Sequence, residues 1–326
     1  MSTTQNRHTP AAATSGNEQD SQDGSAARPP LLQAIGLSLS FGGVHAVQEL
    51  SLAVRPGETL AIIGPNGAGK TSLFNLLAGT IRTQAGTILL DGRDITRSGP
   101  ERRARLGLIR SFQHGRPFAN LDVSDNLLLG AHTRRAASRA GAFAPAVELF
   151  QALFPFGPLA AEERRLRSEI PALVAPFGER LAPKLDRSAF SFSYANRRRI
   201  EIARALAAHP RILLLDEPTA GMNPAETLEM LAFLKELKAG GQTMIVIEHK
   251  LPLIMQLSDS VLVMDEGRRI AWDHPTKVAL DPRVIEAYLG KSHKVTPTGR
   301  STPATPALTG QAVPAARGDA NELPSI

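Results

Sequence analysis

Three stretches of this sequence carry residue types at spacings suited to phosphate chemistry. In "ETLAIIGPNGAGKTSLFNLLAGT" a short apolar strand, Leu60 to Ile63, runs into a glycine-rich turn, and an apolar helix follows from Lys70 onward. The turn is Gly64, Pro65, Asn66, Gly67, Ala68 and Gly69, and Lys70, Thr71 and Ser72 open the helix, which gives G-x-x-x-x-G-K-T in a strand–loop–helix setting. Glycines at 64, 67 and 69 let backbone N–H groups converge on phosphate oxygens at the positive end of a helix. Lys70 is placed to reach the β- and γ-phosphates, and the Thr71 hydroxyl to ligate Mg²⁺. This is a nucleotide site.

The second stretch, "RILLLDEPTAG", ends an unbroken apolar run in two carboxylates. Such a run fits a central strand of a parallel sheet, buried on both faces. Asp216, at the C-terminal end of that strand, is placed to hold Mg²⁺ directly or through water. Glu217 beside it is placed to take a proton from a water attacking the γ-phosphate. The third, "QTMIVIEHK", sets His249 just beyond another apolar strand, at the same end of the sheet and where a γ-phosphate contact is wanted.

The elements that position these groups need a sizeable core, and 326 residues with 42% hydrophobic content supply one. There is no cysteine, which excludes disulfides and thiolate metal sites and favours a reducing compartment. The formal charge is +6, but the arginines are scattered rather than gathered in one block, so no nucleic-acid partner is expected. Residues 1–30 and 291–326 are rich in Ser, Thr, Ala and Pro, and both are expected to be disordered tails. The first has no apolar h-region, so neither a signal peptide nor an anchor is expected there. No run approaches the length that spans a bilayer, so any work at a membrane requires a partner to hold the chain there.

Taken together, these residues resemble an ATP-binding cassette. "GPNGAGKT" is similar to its Walker A loop, "ILLLDE" to Walker B with the catalytic glutamate, and "AGMNP" (220–224) to its D-loop. His249 then occupies the switch-histidine position, and Gln113 in "LIRSFQ" that of the Q-loop glutamine, which senses Mg²⁺ and γ-phosphate and touches a membrane partner. Phe41 in "LSLSFGGVHAV" matches the aromatic residue that stacks on adenine. The resemblance spans about residues 31–290. It implies an α/β P-loop NTPase fold: a RecA-like parallel-sheet core, an antiparallel β part and an inserted helical subdomain at about 114–208. ATP and Mg²⁺ are the implied ligands.

"FSYAN" (192–196) occupies the place of the cassette signature loop, which in this family closes over the nucleotide held by a facing cassette. Ser193 reads as an N-cap, and the amides behind it as an anion site. Ile200, Ala203, Leu206 and Ala207 recur at helical spacing and would hold the helix on the core, while Arg197–Arg199 reads as a solvated basic face. Against the usual L-S-G-G-Q, in the variant with Tyr at the third place, two departures matter: Ala195 stands for the fourth-place glycine and Asn196 for glutamine. A left-handed conformation at Ala195 would cost about 1–2 kcal/mol and weaken closure.

The chain looks most like the ATP-binding subunits of branched-chain amino-acid importers, on "IRSFQHGRPFANLDVSDNLLLGAH", "IVIEHKLPLIMQLSDSVLVMDEGRRIA" and "DPRVIEAYLG". That resemblance implies ATP hydrolysis coupled to uptake at the cytoplasmic face of the plasma membrane. It implies a sister cassette or a second copy of this chain, two membrane permease subunits docking near Gln113 to Asn126, and an external solute-binding protein. A non-transport cassette acting on nucleic acid or ribosomes, and an importer of urea or short amides, stay open as alternatives.

Overall fold

The computed structural model describes residues 29–111, 117–138 and 158–289. The expected tails lie outside these residues, apart from Pro29 and Pro30, and so does Gln113. Among the described residues no helix is long and apolar enough to cross a membrane.

Two sheets organise the chain. The first joins β1 (Leu32–Phe41), β2 (Val44–Val54), β4 (Ala85–Leu90) and β5 (Arg93–Asp94) in the order β2-β1-β4-β5, each neighbouring pair antiparallel. The second joins β3 (Thr59–Ile63), β6 (Leu108–Arg110), β7 (Ile212–Asp216), β8 (Thr243–Ile247), β9 (Ser260–Asp265) and β10 (Arg268–Asp273) in the order β10-β9-β3-β8-β7-β6. It is parallel except at its β10 edge.

Period-two alternation decides which layer each side chain enters. On β7, Ile212 and Leu214 face the antiparallel sheet and the helix α1 (Lys70–Ala78). Leu213 and Leu215 face the opposite layer, with Ile200 and Ala203 of the helix Tyr194–Ala207. On β8, Ile245 and Ile247 enter the first layer, Met244 and Val246 the second. Every residue of β3, β7 and β8 is buried, as their continuous apolar runs predict.

The other helices are α2 (Pro100–Arg105), α3 (Val123–Ser138), α4 (Pro158–Val174), α5 (Tyr194–Ala207), α6 (Pro224–Ala239), α7 (Leu251–Leu257), α8 (Pro275–Val278) and α9 (Pro282–Leu289). Of these, α3, α4 and α5 lie between β6 and β7 in the chain and pack on one another. Asp122 starts α3 by accepting a hydrogen bond from the Asp125 N–H at 2.7 Å, an N-cap contact.

The far end of α1 is fastened by a buried arginine. Arg103, on α2, donates to the carbonyl oxygens of Leu76 (2.5 Å), Leu77 (2.7 Å), Ile95 (3.0 Å), Thr96 (3.0 Å) and Ser98 (2.9 Å). Burial pushes its pKa down to about 10, still charged at neutral pH. A cation at a helix C-terminus satisfies carbonyls that have no intrahelical partner and complements the dipole. Arg103→Met keeps much of the volume and removes all five donations, leaving Leu76 and Ile95 with only a backbone donor each. It should cost about 3 kcal/mol or more in denaturant unfolding of the full chain; a cost under about 1 kcal/mol would contradict this role.

Candidate active site

The glycine-rich turn leaves β3 at Gly64 and enters α1 through Gly69, whose φ of 96° is left-handed. No side chain caps the first turn of α1 and no acidic residue sits in it, so its N–H groups face the cleft as an anion site. Lys70 is almost wholly buried, and its ammonium donates to the carbonyls of Gly64 at 2.8 Å and Pro65 at 2.9 Å. An ammonium has three donors, so one is left for a ligand. Burial pulls its pKa below the usual lysine value, and the charges of Glu217 and then Asp216 oppose that shift.

Beside the loop, β7 delivers the two carboxylates in different surroundings. Asp216 is buried, and its Oδ2 accepts from Arg110 Nη2 at 2.7 Å. Arg110 also donates to Asn75 Oδ1 at 2.6 Å and lies 5.6 Å above the Phe74 ring. Arg198 donates to the main-chain oxygen of Asp216. Among the described residues, Asp216 Oδ1 is buried without a hydrogen-bond partner. A carboxylate oxygen in that state at the carboxyl end of β7 has the donor chemistry of a Mg²⁺ or Mg²⁺-water ligand, and Thr71, in the first turn of α1, is exposed. The residues present therefore fit the metal.

Glu217 turns out of the sheet with φ of 48°, a left-handed conformation costing about 1–2 kcal/mol for a side-chain-bearing residue. Its N–H donates to the Ile247 carbonyl at 2.9 Å, and its Oε1 lies 2.7 Å from His249 Nε2. The structure thus brings together the loop, Lys70, Glu217 and His249, which line one cleft of about 510 Å³ with Asn66 through Ser72 along it. Asp216, next to Glu217 in the chain, does not itself line the cleft. On the other wall stand Val44, His45 and Gln48. Phe41 is half exposed at the β1–β2 turn and does not line the cleft.

The signature segment differs from expectation in two respects. Ser193 is the N-cap of α5, its Oγ accepting from the Asn196 N–H at 3.4 Å, as its sequence position predicts. Ala195, however, lies within the first turn of that helix, outside the left-handed region, and its methyl is buried in the core. The expected strain is absent because a helix beginning at Tyr194 already gives the residue right-handed geometry. Nor are Arg197–Arg199 a solvated face. Arg198 pairs with Glu201 at 2.7 Å and Arg199 with Glu229 at 2.8 Å, both arginines being buried, while Arg197 donates to the carbonyls of Phe190 and Phe192.

Sequence reasoning missed Arg110, Arg198 and Glu248. For Arg110 a signal existed, since a charge ending the apolar strand "LIR" at the carboxyl end of a sheet has to face a counter-charge there. The register Arg110↔Leu214 brings it beside Asp216. For Arg198 the contact to the Asp216 carbonyl, and for Glu248 the contacts to Thr219, come from other elements, and the local sequence contains no sign of them.

The sequence profile described as "ABC transporter" matches residues 47–220. The chain is 38% identical over 266 residues to the high-affinity branched-chain amino acid transport ATP-binding protein LivG of Escherichia coli (strain K12), covering 81% of this chain and 99% of that relative. It is 37% identical over 268 residues to the similarly described BraF of Pseudomonas aeruginosa, covering 81% and 99%. Among solved structures, the ADP conformation of MJ1267, an ATP-binding cassette of an ABC transporter, matches with a TM-score of 0.67 at 29% identity, covering 80% of this chain and 99% of that one.

With Ala195 in ordinary helical geometry, Ala195→Gly combined with Asn196→Gln should leave ATP turnover within about twofold and cost about 0.5–1 kcal/mol of stability, the usual penalty for glycine inside a helix. Steady-state hydrolysis and denaturant unfolding measure both. A rise in turnover of about fivefold or more would mean that the alanine does crowd a bound phosphate.

Proposed function

The chain belongs to the ABC transporter family as an ATP-binding subunit, and from that premise we propose that the ATP it hydrolyses powers uptake of branched-chain or related amino acids. One observation carries the hydrolytic part of this reading: Lys70, Asp216 with its bare oxygen, and the Glu217–His249 pair meet at the carboxyl ends of β3, β7 and β8. Similarity over nearly the full length of LivG and BraF supports the solute class.

In the proposed reaction the loop amides and Lys70 hold the β- and γ-phosphates. Glu217 orients a water and accepts its proton as the water oxygen bonds to the γ-phosphorus. The bond from that phosphorus to the β–γ bridging oxygen breaks, leaving ADP and inorganic phosphate. His249 holds the Glu217 carboxylate and reaches toward the γ-phosphate. Thr71 and Asp216, with Gln113 as a further contact, would hold Mg²⁺, and the chemistry it would supply is neutralisation of phosphate charge.

We take residues 31–290 as the cassette, with the helical insert at about 114–208. It pairs with a sister cassette or a second copy, so that Ser193 and Ala195 close over the facing nucleotide, and Phe41 stacks on adenine. It works at the cytoplasmic face of the membrane, beneath two permease subunits served by an external solute-binding protein. An apolar groove of about 440 Å³ between α2, β6, α3 and α5 supports a permease docking place, with Phe118 and Leu129 exposed at its edge and Arg204 lying 5.5 Å over the Phe118 ring.

The test is reconstitution of the full chain with its candidate permeases in vesicles, reading Mg²⁺-ATP hydrolysis and uptake of labelled leucine, isoleucine and valine. Glu217→Gln should keep nucleotide binding and lose about 100-fold or more in turnover; Lys70→Ala should lose binding. Phe118→Glu should keep ATP affinity and lose stimulation by the permeases. Hydrolysis by Glu217→Gln at the wild-type rate would remove Glu217 from the mechanism. Uptake of urea or short amides without amino acids would reassign the solute.

A further inference from the structure

Glu248 is a carboxylate that hydrolysis, as described, leaves without a role. It directly precedes His249 and is 2% exposed. Its Oε1 accepts from the Thr219 N–H at 3.0 Å and the Thr219 hydroxyl at 2.5 Å. Its Oε2 accepts from the N–H groups of His249 at 3.0 Å and Lys250 at 3.5 Å. Lys250 then crosses in the opposite direction, its ammonium donating to the Thr219 carbonyl at 3.1 Å and to Thr227 Oγ1 at 2.7 Å.

These contacts fasten two loops that otherwise leave the sheet separately. The loop after β7 carries Glu217 in its left-handed conformation, and Thr219 is two residues further on. The loop after β8 carries His249. Both loops must be in register for His249 Nε2 to meet Glu217 Oε1 at 2.7 Å. A carboxylate is suited to this place because it accepts on both oxygens, and every group facing it is a donor. A glutamine of the same shape would accept on one side only and set its NH₂ against the N–H of His249 or Thr219.

We propose that Glu248 is a positioning residue that sets Glu217 and His249 in register for water attack. It acts through backbone and side-chain donors on both loops and touches neither nucleotide nor water. The proposal rests on Glu217 and His249 being the hydrolytic pair.

The experiment is a double-mutant cycle in the full chain assembled with its permeases, using Mg²⁺-ATP and the variants Glu248→Gln, His249→Ala and both together. Alone, Glu248→Gln should lower kcat by about tenfold or more and leave the KM for ATP within about twofold. In the His249→Ala background the same change should cost less than about twofold, because the contact it secures is already gone. Losses that multiply, a wild-type kcat, or a rise in KM matching the fall in kcat would each overturn the proposal. Should Glu248→Gln fail to fold, Thr219→Val removes one donor and keeps the shape, and it should lower kcat about threefold alone and not at all beside His249→Ala. Failure of both variants to fold would assign Glu248 to the fold and overturn the proposal as well. Wild-type hydrolysis by Glu217→Gln and His249→Ala would instead remove the hydrolytic pair itself, a result distinct from the failures above.

Discussion

The phosphate loop is clamped between two backbone carbonyls that leave no room for a side chain. A Cβ built at Gly64 would lie 2.1 Å from the Met264 oxygen, and one at Gly69 would lie 2.1 Å from the Ala46 oxygen. Met264 belongs to β9 of the parallel sheet, and Ala46 to β2 of the antiparallel sheet. The loop is therefore the joint between the two sheets as well as the anion cradle. Further bonds close the same joint: the Gly267 N–H donates to Ala68 O at 3.1 Å, and the Gln48 N–H to Gly267 O at 2.8 Å. Moving the loop would mean moving a sheet, so the N–H groups are oriented before a ligand arrives, which is the preorganisation that electrostatic binding needs.

Buried arginines extend that rigidity outward. Arg103 fixes the far end of α1, so the helix that begins at Lys70 is held at both ends. Asp216 is clasped twice, by Arg110 at its side chain and by Arg198 at its main chain. Those two residues come from β6 and α5, so the edge strand and the signature helix both bear on the proposed metal carboxylate. Any shift of α5 relative to β7 must carry or break the Arg198 bond. Guanidinium suits these places because it stays charged when desolvated and offers a planar fork of donors to carboxylates and carbonyls.

What was legible in the sequence was what local pattern encodes. The unbroken apolar runs before Gly64, Glu217 and Glu248 identified strands buried on both faces, and the glycine spacing with Lys70 and Thr71 identified the cradle. Ser193 read correctly as a cap because an N-cap is settled by residues within one turn. Two misreadings were long-range and one was local. Arg198 and Arg199 look like surface charge until β7 and Glu229 are brought against them, and Ala195 looks strained until the helix start is known. The contacts of Glu248 to Thr219 join residues 29 positions apart, which no periodicity reveals.

Phosphate binding depends most directly on the clamped loop, and calorimetric titration of Mg²⁺-ATP into the full-length Gly69→Ala chain tests that dependence. The added methyl must push the loop off the Ala46 carbonyl and misdirect the N–H groups behind it. Affinity should then fall by about 100-fold or more, near 2.8 kcal/mol, while the chain stays folded. Wild-type affinity in that variant would contradict the account, because the geometry of the loop would then not be what holds the phosphates.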